Sequence, residues 1–164
     1  MYHNLKFGFV VVIFALFNCF SGNIREGIGN TIWLNSNVSW ETHQEDSLTD
    51  ASNCKILFFS DSGDFKLIVS SLQKNDSTGI VSLPSTRIMV FTGKWKSKND
   101  HVEVSYKNIS SLPTNTEKRE TIHNSLVTIS SNESKRILFN NEEYERFSNW
   151  NESSLRRIKS FTKK

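Results

Sequence analysis

The run Cys54-Lys55-Ile56-Leu57-Phe58-Phe59-Ser60-Asp61-Ser62-Gly63-Asp64-Phe65-Lys66-Leu67-Ile68-Val69 decides the reading of the fold. Its first six residues are apolar on both faces, with Lys55 as the exception. Ser60 to Asp64 then form a turn in which Gly63 can take a positive φ without a Cβ clash. Beyond it, Phe65, Leu67 and Val69 alternate with Lys66, Ile68 and Ser70, the period of two expected of a strand with one buried face. Strand, tight turn, strand is a β-hairpin.

The same grammar repeats outward from this centre. Ile32 and Leu34 oppose Trp33, and Val38 and Trp40 resume the alternation. Ile88, Val90 and Thr92 alternate with Met89, Phe91, Gly93 and Trp95; Lys98-Asn99-Asp100 turns the chain, and Val102, Val104 and Tyr106 return it. A third hairpin joins Leu126–Ile129 to Arg136–Phe139, and Asn140-Asn141 suits a tight turn into a segment carrying Tyr144 and Phe147. Many short strands without a long helical pattern predict one all-β domain, an antiparallel barrel or sandwich of seven or eight strands. Two stretches lack the period and read as loops: Glu41–Asn53, polar and acidic, and Lys107–Glu120, which holds Pro113.

The chain's ends differ from its centre. Phe7–Phe17 is almost unbroken apolar sequence after Lys6, and Ser21-Gly22 are small, which predicts a signal peptide over residues 1–22. The apolar run is shorter than the roughly 20 residues that span a bilayer. The expected destination is therefore secreted or extracytoplasmic. Leu16-Phe17-Asn18-Cys19 has the leucine of a bacterial lipobox but not its small residues, so lipid attachment at Cys19 is the alternative to an ordinary leader cysteine. With Cys19 in the leader, Cys54 is left without an internal disulfide partner. At the other end, Ser153 can cap a short helix carrying Leu155, Ile158 and Phe161 on one face. Arg156, Arg157, Lys159, Lys163 and Lys164 make that tail basic, a candidate contact for an acidic partner or an anionic membrane. The organisation read is thus leader 1–22, β domain 23–152 and tail 153–164.

Charge and motifs exclude several functions. The 164 residues carry a formal net charge of +3. Of 20 lysines and arginines, five lie in the tail and Lys6 in the leader, leaving 14 against 17 acidic residues, no footprint for nucleic acid. His43, His101 and His123 lie far apart with no metal-ligand spacing. Ser71-Leu72-Gln73-Lys74 matches Ser-x-x-Lys, but it falls at a strand end without the companion motifs of the acyl-transfer enzymes. Acids cluster at Asp61 and Asp64 and at Glu142, Glu143 and Glu145; catalysis by them would require two to converge in a cleft. Five Asn-x-Ser sequons begin at Asn37, Asn75, Asn108, Asn132 and Asn151, about what this Asn- and Ser-rich composition produces by chance.

In order along the chain, Trp33 (or Trp40), Phe58-Phe59, the Asp61-Ser62-Gly63-Asp64 turn, Phe65 and Gly93-Lys94-Trp95 resemble the bacterial lipocalin-like proteins, small secreted or lipid-anchored barrels. The likeness covers residues 30 to 147; the family's opening Gly-x-Trp has no counterpart, since Trp33 follows Thr31-Ile32. The resemblance implies a ligand-holding or interaction barrel without catalytic residues. Alternate residues of a barrel strand face inward, which makes Trp33, Phe58, Phe65, Phe91, Trp95 and Tyr106 the expected lining for a small apolar ligand. The function expected is a non-enzymatic binding protein without cofactor or metal. A filled barrel that contacts a protein or membrane through loops and the basic tail is the alternative, and a small hydrolase using turn carboxylates the remote one.

Overall fold

A computed structural model describes residues 27–42, 48–84, 88–98, 101–110, 119–129 and 135–161. The leader, Cys19, His43, the 99–100 turn, Pro113, the Asn132 sequon and Lys163-Lys164 lie outside the described residues.

The central hairpin forms as the sequence predicts. Strand β3, Leu48–Phe59, pairs with β4, Asp64–Asn75, from Phe59 opposite Phe65 to Leu48 opposite Asn75. The turn between them is held by Ser60 N donating to the Asp64 carbonyl (2.9 Å), with Gly63 at φ 81°. Upstream lies β1, Thr31–Asn35; downstream come β6, Met89–Ser97, β7, Val102–Ser110, β8, Arg119–Ile129, β9, Arg136–Phe139, and β10, Glu142–Arg146. Two-residue strands β2, Glu41–Thr42, and β5, Val81–Ser82, extend the sheet beside β3 and β4. Every strand-to-strand pairing is antiparallel, and β10 pairs back onto β1, closing an eight-stranded meander of β1, β3, β4, β6, β7, β8, β9 and β10. The Asn140-Asn141 turn has positive φ at both residues, 52° and 62°, the conformation that matches the twist of a two-residue hairpin.

Both predicted loops contain strand. Leu48–Asn53 belongs to β3: its buried residues are Thr49 and Ala51, too weakly apolar to print an alternating pattern. A bulge follows, in which Ser52 and Asn53 face Ser71 alone and Asn53 takes φ 55°. Likewise β7 continues through Ser110 and β8 begins at Arg119.

The barrel has two hydrophobic cores, one inside and one against its outer wall. Trp33, Leu57, Phe59, Phe65, Trp95, Val104, Tyr106, Val127, Ile137, Phe139 and Tyr144 fill the interior, and Ile28 packs with them. On the opposite parity, Ile32, Leu34, Cys54, Ile56, Phe58, Ile68 and Leu72 point outward, where Val81, Leu83, Trp150 and Ile158 cover them. Ile158 belongs to helix α1, Glu152–Ser160, and its full burial is worth about 2 kcal/mol. The cap is Asn151, whose side chain accepts from Ser153 N, so Ser153 lies within the helix instead of capping it. The described part of the tail, residues 153–161, is stitched to the side of the barrel. Ser154 Oγ accepts from Leu83 N (2.8 Å), Asn151 N donates to the Val81 carbonyl (2.8 Å) and Lys66 Nζ donates to the Lys159 carbonyl (2.6 Å). Lys66 thus satisfies carbonyls that the last helical turn leaves open. Among the described residues no helix is long and apolar enough to cross a membrane.

Candidate functional site

Five of the six expected lining residues face the interior. Trp33, Phe65, Trp95 and Tyr106 are buried there, and Phe91 packs against them. Phe58 does not: it points to the outer wall, because Phe59 pairs with Phe65 on the inward parity and neighbouring residues of a strand face opposite sides. The sequence could not rank the two phenylalanines, since both faces of this strand are buried.

The interior rings touch one another across the barrel. Phe65 lies 5.6 Å from Phe139 and 5.6 Å from Tyr106, and Phe59 lies 5.2 Å from Phe65 and 5.9 Å from Trp95, measured between centroids. Strands β4 and β9 stand on opposite sides of the eight-strand circle, so the Phe65–Phe139 contact bridges its diameter. At this layer the lumen is side chain, as expected where eight strands leave an interior just wide enough to be filled.

Above the rings sits a polar layer that sequence reasoning missed. Lys55 faces inward and pairs with Glu142, which also accepts from Tyr144 Oη (2.9 Å) and Asn35 Nδ2 (3.3 Å). Met89, on the same inward parity, is 57% exposed here, so this end of the barrel is open to water. The signal was the single lysine inside an apolar run; a charge held among apolar neighbours needs a partner. Burial raises the Glu142 carboxyl, but the bonds from Lys55 and Tyr144 outweigh it and leave Glu142 below its ordinary 4.5. A carboxylate depressed in the folded state adds stability above its unfolded value, and that stability is lost as pH falls through the folded value. Glu142→Gln is therefore expected to flatten the loss of stability between about pH 5 and pH 2. Denaturant titrations at each pH read this out, and parallel curves for the two proteins would exclude the assignment.

The acidic clusters do not converge. Glu143 and Glu145 point outward, on the parity opposite Glu142, and bracket Arg136 at 3.5 and 2.9 Å. Asp64 pairs with Lys94 (2.5 Å) and accepts from Ser62 Oγ (2.7 Å); these bonds hold its carboxyl below the ordinary range. Asp61 is exposed in the turn. His123 stacks on Tyr106 at 5.1 Å, and His101 Nε2 lies 3.8 Å from Glu103. Among the described residues no three His, Cys, Asp or Glu side chains gather where they could hold a metal ion. Cys54 is buried in the outer core, and burial pushes its thiol up to about 11.

One opening lies outside the barrel. A cleft of about 590 Å³ runs across the outer faces of β4, β6 and β7, from Phe58 and the end of α1 to Ile122 on β8. Its floor is one rung of directly opposed residues, Lys66, Thr92, Lys107 and Ile122, with Asp64, Lys94 and Ser105 forming the rung beside it. Phe58, Phe161 and Ile122 supply apolar surface, and Ile122 is 59% exposed. Among the described residues, four lysines, Lys66, Lys94, Lys107 and Lys159, and one carboxylate, Asp64, line it. Of the three described basic residues of the tail, only Lys159 lines this cleft; Arg156 pairs with Glu152 (3.2 Å), and Arg157 donates to the Pro84 carbonyl (3.2 Å).

The fold is an eight-stranded meander barrel bridged by side chains at its ring layer, with a cleft of about 590 Å³ on its outer wall. No protein-family model, curated protein or solved structure matches the chain.

Proposed function

We propose that this chain is a non-enzymatic, extracytoplasmic binding protein whose barrel is a packed scaffold and whose ligand seat is the external cleft. The observation that carries this reading is the contrast between two spaces. The interior is bridged by Phe65 and Phe139 at 5.6 Å, while the outer wall holds a cleft of about 590 Å³. Small-molecule sites span roughly 300–1,000 Å³ and combine apolar walls with a few polar groups, as this one does. The leader-like residues 1–22 support the extracytoplasmic setting.

Two tryptophan substitutions separate the seats. Thr92 sits on the floor of the cleft, and Met89 faces the open end of the lumen. In a Nile red titration, Thr92→Trp is expected to weaken binding about tenfold by filling the cleft, and Met89→Trp to leave it unchanged, with both variants melting like the parent. The reverse pattern would move the ligand to the barrel mouth and overturn the reading.

A further inference from the structure

The external cleft is unusual in what surrounds it as well as in size. Among the described residues its lining holds four lysines and one carboxylate, that of Asp64, which pairs with Lys94. Those charges are distributed along the groove: Lys66 on β4, Lys94 on β6, Lys107 on β7 and Lys159 at the end of α1. Between them lie the ring of Phe58, the ring of Phe161, the bare backbone of Gly93 and the exposed side chain of Ile122. From β3 to β8 the groove crosses four inter-strand gaps, roughly 19 Å at the usual sheet spacing.

We infer that the cleft takes a free single-chain amphiphile with an anionic head, of the fatty-carboxylate kind. The inference rests on the external seat proposed above. A groove that crosses four inter-strand gaps suits a linear occupant better than a compact ring system. Its rings and Ile122 remove the chain from water, which is the main driving force for an apolar ligand. An excess of lysines draws the negative head and disfavours a cationic one, and lysine ammonium groups, each with three donors, can bond a carboxylate while keeping other partners. Lys66 has a second part in this arrangement. By donating to the Ile158 (3.3 Å) and Lys159 (2.6 Å) carbonyls, it fixes the end of α1 that presents Lys159 and Phe161 to the groove.

The test is isothermal titration of the full chain with laurate, dodecyl maltoside and dodecyltrimethylammonium, each below its micelle concentration. Laurate is expected to bind with one-to-one stoichiometry and at least about tenfold more tightly than the other two. Lys94→Gln/Lys159→Gln is expected to weaken laurate by about fivefold to tenfold and to leave the maltoside unchanged, because both lysines are exposed and act through charge. Added salt should weaken laurate and not the maltoside. If the maltoside binds as tightly as laurate and Thr92→Trp blocks both, the anionic class is wrong while the external seat stands. If laurate binds but Thr92→Trp leaves it untouched, the external seat fails with it. Binding of none of the three, or flotation with anionic vesicles without any laurate binding, also overturns the inference.

Discussion

Phe65→Ala is expected to lower the stability of the barrel by about 4 kcal/mol, the upper part of the range for a buried aromatic ring. The ring is fully buried and is sealed by Phe59, Tyr106 and Phe139, which come from three other strands. Strands that are hydrogen-bonded around a closed circle cannot collapse freely to refill the space, so the cavity term adds to the lost transfer energy. Since single domains are stable by only about 5–15 kcal/mol, roughly a quarter or more of the margin would go. The new cavity would be apolar and dry, the kind that takes benzene. Benzene should therefore raise the melting temperature of Phe65→Ala and leave the parent unchanged. Urea denaturation gives the first number and thermal melting the second. A loss under about 1 kcal/mol, or a parent protein that gains as much from benzene, would mean that the interior is not filled at this layer.

The second large effect belongs to Gly93. A Cβ placed there would lie 2.0 Å from the Ser105 carbonyl oxygen and 2.6 Å from Tyr106 Cα, both of them backbone of β7. No rotamer relieves a clash between Cβ and main chain, so one strand has to move. Gly93→Ala is expected to cost about 3 kcal/mol, at the top of the overpacking range. It should also speed amide exchange along the β6–β7 pairing, from Thr92 opposite Lys107 to Ser97 opposite Val102. Because Thr92, Gly93, Ser105 and Lys107 also line the external cleft, ligand binding should fall with the pairing. An alanine variant as stable as the parent would contradict the close approach of the two strands.

The fold was largely legible because barrel strands with one dry face print a period of two. The 60–64 turn, the Asn140-Asn141 turn and the alternation of β4, β6 and β7 could all be read directly, and the number of strands in the closed circle fell within the expected seven or eight. Strand was missed where the sequence has no alternating run of apolar residues to print it. Leu48–Asn53 buries Thr49 and Ala51, and Thr121 to Asn124 of β8 are exposed in succession.

The site was less legible, for a different reason. Cys54–Phe59 is apolar on both faces because each face meets its own core, the barrel interior on one side and the cover of α1 and Leu83 on the other. Double-sided burial erases the parity that would have told Phe58 from Phe59. The tail's amphipathic face was visible, but its place on the side wall depends on Lys66, Leu83 and Val81, residues that are remote from it in sequence. The cleft itself is assembled from β3, β4, β6, β7, β8 and the helix end. Its rung of Lys66, Thr92, Lys107 and Ile122 exists only once three strand registers are set.

The most direct test of a filled barrel with an external seat is a crystal structure of the protein soaked with 12-bromododecanoate, with data collected at the bromine edge. The account predicts an anomalous peak in the cleft on the outer wall, in contact with Phe161, Phe58 or Ile122. A peak inside the barrel, among Phe91, Met89 and Leu67, would contradict it.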